Sequence, residues 1–277
     1  MKALISIITP VLNNEQFISQ AIENYMSESN NETELIIVDG GSKDKTVEII
    51  NSYALKRNDI KWISEKDSGQ SNAMNKGIRL SSGEYISFLN VDDFYSKGTF
   101  KQVTEILSKN KTIEFLVGDC NVWNAEQKLV FVNRPSKLEK WHVLSGYHFP
   151  VNPTAYFYKK SLHDRVGFYN EENHYNMDLE FIIQARLTTP FEYKPEIWGN
   201  FRMLPNTKTI SDMEGNLLEK RKHELLGRYL NSTSIYLKFR TYIYLSQRRL
   251  YPKVKHFFFQ LSDKIKFELS KLKKKNT

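Results

Sequence analysis

Short apolar runs and helical repeats take turns along the first hundred residues. Leu4 to Ile8 is an apolar run of strand length, stopped by Thr9-Pro10. Phe17, Ile18, Ala21, Ile22 and Tyr25 then recur at spacings that fit one helix face. Leu35 to Val38 predicts a second strand, closed by Asp39-Gly40-Gly41-Ser42. Ser42 or Asp44 offers a cap for the next helix, which carries Val47, Ile49 and Ile50. Ile60 to Ile63 predicts a third strand, Asn72 to Leu80 a helix, and Tyr85 to Leu89 a fourth strand. Strands separated by helices need crossover connections. The expected fold class is therefore α/β, a mostly parallel sheet with helices on both faces. Further on, Glu114 to Val122, Leu129 to Asn133 and Thr154 to Tyr158 read as strands. Met177 to Leu187 reads as a helix that packs through Leu179, Ile182, Ile183 and Ala185.

Ligands of such sheets bind beyond the carboxyl ends of the strands. Polar clusters fall at those ends: Thr9 to Asn14, Asp39 to Ser42, Glu65 to Gln70, and Asn90 to Asp93. Together they predict a nucleotide-sized pocket. Asn90-Val91-Asp92-Asp93 sets two carboxylates side by side. One or two carboxylates plus substrate phosphates commonly hold a hard divalent cation. A helix cap before Gly98 and Thr99 is the plainer reading of the same residues. In Asp39-Gly40-Gly41-Ser42 the glycines permit close backbone approach, and the carboxylate can accept from a base or ribose. An ordinary turn has the same composition.

In order and spacing, four segments are similar to one family. They are Ser6-Ile7-Ile8-Thr9-Pro10-Val11-Leu12-Asn13, Glu34 to Asp44, Glu65 to Gly77, and Gly83 to Asp93. The chain resembles the family-two inverting glycosyltransferases of bacterial surface-polysaccharide synthesis. The clear match covers residues 4 to 100, and a looser one runs to about residue 211. The resemblance implies a GT-A (Rossmann-like) fold and a set of roles. Thr9, Val11 and Asp39 would hold the nucleotide base. Asp67 and Gly69 would lie along the nucleotide pocket, supported by Asn75. The family's Asp-x-Asp motif reads Asn90-Val91-Asp92 here. Asp92 keeps the metal-ligand position, for Mg²⁺ or Mn²⁺. Asn90 can still bond a ribose hydroxyl, and Asp93 can restore the missing charge.

Inverting transfer also needs a carboxylate to take the acceptor's proton. The family places it at a helix start, after a segment matched here by Tyr156 to Leu162 and Gly167-Phe168-Tyr169. Asp178 occupies that position, with Glu180 as the alternative. An acid in the first helical turn is also favoured by the helix dipole alone. Arg202, with Thr209 to Ser211, occupies the region of a loop that assists the departing diphosphate. His148 and Asn152 can line an acceptor site or play a structural part.

The chain has 277 residues, one cysteine and a formal net charge of +8. The single Cys120 excludes a disulfide framework and fits a reducing compartment. The charge is uneven: 14 Lys and Arg against 3 Asp and Glu after Arg221, and 26 against 29 before it. The expected division is residues 1–214 as the glycosyltransferase domain and 215–277 as a basic helical extension. Within the first, 1–100 is the nucleotide-sugar half and 101–214 the acceptor half. In the extension, Phe258, Leu261, Ile265, Leu269 and Leu272 recur at helical spacing among lysines. Tyr242, Tyr244, Tyr251 and Phe257 to Phe259 add interfacial side chains. This pattern suits an anionic membrane surface. Packing on the body or on a second subunit is the alternative. No nucleic-acid recognition motif accompanies the basic stretch.

No segment reaches the roughly 18 apolar residues of a membrane span. The start, Lys2 followed by an apolar run, mimics a short signal peptide. Ser6, Thr9 and Pro10 inside it favour a buried strand. The expected placement is cytoplasmic, peripheral on the inner membrane face. The expected partners are a nucleotide-sugar donor, uridine first, and a glycan or lipid-linked glycan acceptor. A non-catalytic nucleotide-sugar-binding subunit is the rival reading, kept open by Asn90.

Overall fold

A computed structural model describes residues 3–173, 175–205 and 217–248. The first half runs β1 (Ile5–Val11), α1 (Ile18–Glu28), β2 (Thr33–Asp39), α2 (Thr46–Ala54), β3 (Ile60–Ser64), α3 (Gln70–Leu80) and β4 (Tyr85–Phe88). Next come β5 (Phe94–Tyr95), α4 (Thr99–Lys109), β6 (Phe115–Trp123), β7 (Leu129–Asn133) and α5 (Lys140–Leu144). β8 (Tyr156–Lys159), α6 (His163–Val166), α7 (Met177–Thr188), β9 (Glu192–Arg202) and α8 (Leu217–Ser232) follow. Residues 235–248 are again helical and are called α9.

The strands form one sheet in the order β3-β2-β1-β4-β8-β6-β9-β5, with β7 against β6. The first four are parallel, as are β6 and β9. β8 lies antiparallel between β4 and β6, and β5 and β7 are antiparallel to their neighbours. The α/β fold expected from sequence is the one observed. The antiparallel pairs lie in or border the second half.

Both faces of β1, β2 and β4 are buried, which is why their centres read as unbroken apolar runs. Ile8, Ile36, Val38, Ile86 and Phe88 share a core with α3, α7 and α8, through Met74, Ile182 and Leu225 among others. Ile5, Ile7, Leu35 and Ile37 share the other core with Ile22 of α1, Ile50 of α2 and Phe100 of α4. α8 is thus tied to the body by Leu225 and Leu226.

Two local expectations are corrected. β1 does not stop at Thr9-Pro10 but runs on to Val11, with Pro10 opposite Val38. The carbonyl of Ile8 bonds the Leu89 N–H on the β4 side. Pro10 faces the same side two residues later, where β4 has ended, so its missing donor costs nothing. The helix after β2 starts at Thr46, beyond both caps proposed for it. Asp44 accepts the Thr46 N–H, while the Ser42 hydroxyl turns back to Asp39.

β9 was not expected from its sequence. It is held by Trp198, which is fully buried and donates its indole N–H to Gln102 (3.0 Å). The indole packs against Gly118 of β6, where an added Cβ would meet its Cε3 at 2.4 Å and the Glu196 carbonyl at 2.8 Å. Gly118→Ala is therefore expected to destabilise the fold by about 1–3 kcal/mol through overpacking. Urea unfolding would measure it, and a neutral effect would refute the close packing of β6 on β9.

Candidate active site

The carboxyl ends of β1 and β4, the start of α3 and the end of β9 border a cleft of about 520 Å³. Val11, Asp67, Gly69, Asn90, Asp92 and Asp93 line it. Three of the four polar clusters singled out in the sequence thus meet in one place. Gln70, the end of the third cluster, also lines it, as do Ala73 and Phe201, to which no role was assigned from sequence.

The fourth cluster, at the end of β2, supports the cleft from behind. Asp39 is fully buried. Its carboxylate accepts the N–H groups of Gly41 and Ser42 (both 3.0 Å), the Ser64 hydroxyl (2.6 Å) and the Ser42 hydroxyl. These bonds fix the turn that brings Gly40 against Asp67. A Cβ on Gly40 would lie 2.6 Å from Asp67 Oδ2. Asp67 in turn accepts the Gly69 N–H (2.9 Å), and Gly69 opens α3 at a φ of +133°. Left-handed backbone of this kind favours glycine. Thr9 is buried, and its hydroxyl has no hydrogen-bond partner among the described residues.

The acidic segment divides its labour. Asp93 is buried and its oxygens are engaged. Asn90 Nδ2 (3.0 Å) and Asn152 Nδ2 (2.8 Å) donate to Oδ2, and the Arg202 backbone N–H donates to Oδ1 (3.1 Å). Burial, and then the charge of Asp92, hold its carboxyl well above the usual carboxylate range. Asp92 is half-buried and lines the cleft. Burial raises it too, against the lowering field of Arg202. No side-chain donor among the described residues bonds its carboxylate. A cleft-facing carboxylate that desolvation penalises when charged fits a hard divalent cation, whose charge would offset that penalty.

Arg202 ends β9 rather than riding on a flexible loop as its sequence context suggests. Its Nη1 donates to Gln20 Oε1 (3.2 Å), and its Nε donates to the Asp92 carbonyl. The guanidinium lies 5.3 Å from the Phe17 ring centroid and 5.8 Å from that of Phe94. Thr209 to Ser211 lie outside the described residues.

Asn75 does not line the cleft but clamps the two halves together. Its Oδ1 accepts the Tyr169 N–H (3.0 Å), and its Nδ2 donates to the Tyr169 carbonyl (2.9 Å). Glu171 completes the clamp, accepting from Asn75 (3.1 Å), Asn72 (2.8 Å) and Ser68 (3.2 Å). Those bonds, Asn75 first, pull the Glu171 carboxyl below its usual range. The same clamp carries the chain into α7, whose first turn meets that of α3 where Ser71 Oγ lies 2.8 Å from Met177 Sδ.

Asp178 sits in that first turn. It is half-buried, and its Oδ1 is shut off from solvent with no hydrogen-bond partner. Burial pushes its carboxyl up to about 6. Glu180, the alternative, is engaged with α8: Tyr229 donates to its Oε1 (3.2 Å), and Asn173 donates to its Oε2 (2.7 Å). Asn152 backs Asp93. His148 instead bonds Tyr244 of α9 at 2.5 Å.

The strand-end cleft thus holds the acidic pair, while Asp178 stands outside its lining, at the start of α7. The sequence pattern of glycosyl transferase family 2 matches residues 6–167. The chain belongs to that family. It is 35% identical over 111 residues to EpsJ, an uncharacterized glycosyltransferase of Bacillus subtilis, covering 40% of this chain and 32% of EpsJ. It is 35% identical over 109 residues to the minor teichoic acid biosynthesis protein GgaB of the same organism, covering 38% of this chain and 12% of GgaB. The chain thus spans a third or less of the length of these relatives. Residues 1–349 of TarS from S. aureus, in complex with UDP-GlcNAc, superpose with a TM-score of 0.66 at 17% identity. That match covers 85% of this chain and 69% of the other. A mannosyltransferase from Pyrobaculum calidifontis, in complex with GDP-Man and Mn²⁺, gives 0.60 at 12% identity, covering 89% and 80%. At such identities the structural likeness shows a shared fold.

Within this glycosyltransferase, Asn90 has a local explanation. Its amide supplies a donor to the buried Asp93. An Asp there would press a third carboxylate against Asp92 and Asp93.

Proposed function

We propose that this glycosyltransferase moves a sugar, with inversion, from a UDP-sugar to a hydroxyl of a glycan or lipid-linked oligosaccharide in polysaccharide biosynthesis. The carrying observation is Asp178, a protected carboxylate raised to about 6 in the first turn of α7, the turn that meets the start of α3 through Met177 and Ser71. The acceptor oxygen attacks the anomeric carbon, its proton passes to Asp178, and the sugar–phosphate bond breaks to release the nucleoside diphosphate. A general base works best with its pKa near the operating pH.

In this reading Val11 forms the base end of the site, with the buried Thr9 and Asp39 supporting it from behind. Asp67 and Gly69 shape its floor, Asn75 supports them by clamping α3 to Tyr169, and Asn90 and Asp93 form the ribose side. Asp92 is the residue that would hold Mg²⁺ or Mn²⁺, which supplies positive charge for the leaving diphosphate. Arg202 acts by holding the Asp92 backbone, with its cation close to the same phosphates. TarS with UDP-GlcNAc and the teichoic-acid assignment of GgaB support the uridine donor and the surface-polymer acceptor. No helix among the described residues is long and apolar enough to cross a membrane. The basic stripe from Phe258 to Leu272 lies outside the described residues. In this reading it holds the enzyme on the inner membrane face.

Thermal unfolding with UDP-, GDP- and dTDP-sugars, with and without Mn²⁺, tests the donor. A ligand at 100 times its Kd adds about 2.7 kcal/mol, or roughly 5–10 °C for a chain of this size. UDP-sugars with Mn²⁺ are expected to give the largest shift, and Asp92→Ala to remove its metal-dependent part. A full metal-dependent shift in that variant would sink the Asp92 assignment. Binding without turnover on any donor would leave a nucleotide-sugar-binding subunit instead.

A further inference from the structure

The last described helix, α9, turns its apolar side outward. Ile235, Tyr236, Phe239, Tyr242 and Ile243 recur at spacings of three and four and are 38–86% exposed. The opposite side is docked. Thr241 is fully buried, Tyr244 bonds His148, and the Arg240 guanidinium lies 4.2 Å over the Trp141 ring of α5. Arg248 lies 4.2 Å over the Tyr147 ring. Tyr244, expected from sequence at an interface, therefore faces the body, while Tyr242 points away from it.

We propose that the outward stripe of α9 is a contact surface for an anionic lipid bilayer. Charge identifies the occupant. Residues 235–248 carry Lys238, Arg240 and Arg248 and no acid, and residues 249–277 add nine Lys and Arg against two acids. Aromatic and aliphatic side chains flanked by cations match the boundary between headgroups and acyl chains. A second copy is a poor match. A two-fold contact through this stripe would bring Lys238 toward its own copy with no acid on the helix to meet it.

The consequence is positional. α9 is fixed to α5, and α8 is fixed to α7 by Tyr229, which donates to Glu180 and accepts from Gln184 (2.7 Å). Lipid bound to α9 therefore sets the height of Asp178 above the membrane, where a lipid-linked acceptor would present its hydroxyl. This deepens the proposed function and rests on its membrane-linked acceptor.

The test uses the full chain with Phe239→Trp and vesicles of equal parts phosphatidylcholine and phosphatidylglycerol. Read as the difference between the variant and the wild type, whose four tryptophans give the background, the introduced indole is expected to emit as solvent-exposed alone, to shift blue with these vesicles, and to be quenched by brominated lipid. Phosphatidylcholine alone should leave it unchanged. Phe239→Asp with Tyr242→Asp is expected to lower vesicle affinity at least roughly tenfold. It should leave thermal unfolding and transfer to a soluble acceptor sugar intact. Emission that is blue-shifted before lipid is added would mean that protein covers the stripe, and would overturn the assignment. So would unchanged vesicle affinity in the double variant, or a dimer that this variant dissociates. If the lipid results hold and no donor–acceptor pair supports transfer, the functional reading fails while the surface stands.

Discussion

Asp178→Asn is expected to lower kcat by about 10²–10⁴-fold, the usual loss for a general base. The same variant is expected to unfold at a higher temperature at neutral pH. Burial raises the folded carboxyl from 3.8 to about 6. A raised carboxyl binds its proton more tightly folded than unfolded. Ionising it therefore costs stability progressively as pH climbs from about 4 through 6, reaching about 3 kcal/mol above that window. Asn carries no such cost. The gain should vanish below about pH 4, where both forms are neutral. In the wild type, kcat/KM should fall on the acid side with an apparent pKa near 6, and that limb should be absent from the residual activity of the variant. A variant that loses activity and melting temperature together would indicate a structural carboxylate. Undiminished transfer would refute the base outright.

The pairing of stability gain with activity loss explains why Asp178 could be read from sequence only through family resemblance. Locally it is an acid in a first helical turn, and nothing in residues 176–181 reveals that Oδ1 is enclosed. The parallel strands were legible for the opposite reason. Ile7 and Ile8 face different cores, so burial on both sides writes itself into consecutive residues. β9 hid because Pro195, Gly199 and its charged residues read as loop. Its pairing comes from β6, some 75 residues earlier in the chain, and from the slot that Gly118 opens for Trp198. Asn75 was picked out as a support, but its partners Tyr169 and Glu171 lie 94 and 96 residues away; Tyr169 stood in a matched segment without that pairing, and Glu171 carried no signal. Asp39 stood out as a strand-end acid. That its four donors come from its own turn and from Ser64 is visible only in three dimensions.

Far from the cleft, Glu34→Ala is expected to cost about 3 kcal/mol, lowering the melting temperature by roughly 6–12 °C. Glu34 lies near the start of β2, at the amino end of the strands, and is buried. Its Oε1 accepts the Ser6 hydroxyl (2.6 Å), the Ser82 N–H (2.6 Å) and the Ser82 hydroxyl (2.8 Å). Its Oε2 accepts from Lys61 at 2.7 Å. Burial alone would raise this carboxyl, but Lys61 and the serine donors outweigh it and hold the group at about 2. The folded value lies below the unfolded 4.5, so the stabilisation is complete above about pH 4.5 and is lost as pH falls through 2. The alanine variant should therefore show a shallower loss of stability on acidification over that window. Lys61 is half exposed, so Lys61→Met should cost less, because its removal leaves the serine donors in place. Ser6, fully buried, cannot be rescued by water in the same way. Ser6 also accepts the Gly83 N–H (2.9 Å), and a Cβ at Gly83 would lie 2.6 Å from that hydroxyl. Losing the anion therefore strands the buried Ser6 hydroxyl. Equal stability of Glu34→Ala and wild type at pH 7 would refute this account. Retained kcat in the folded variant is the expected companion result, since the network stands at the opposite end of the strands from Asp92 and Asp93.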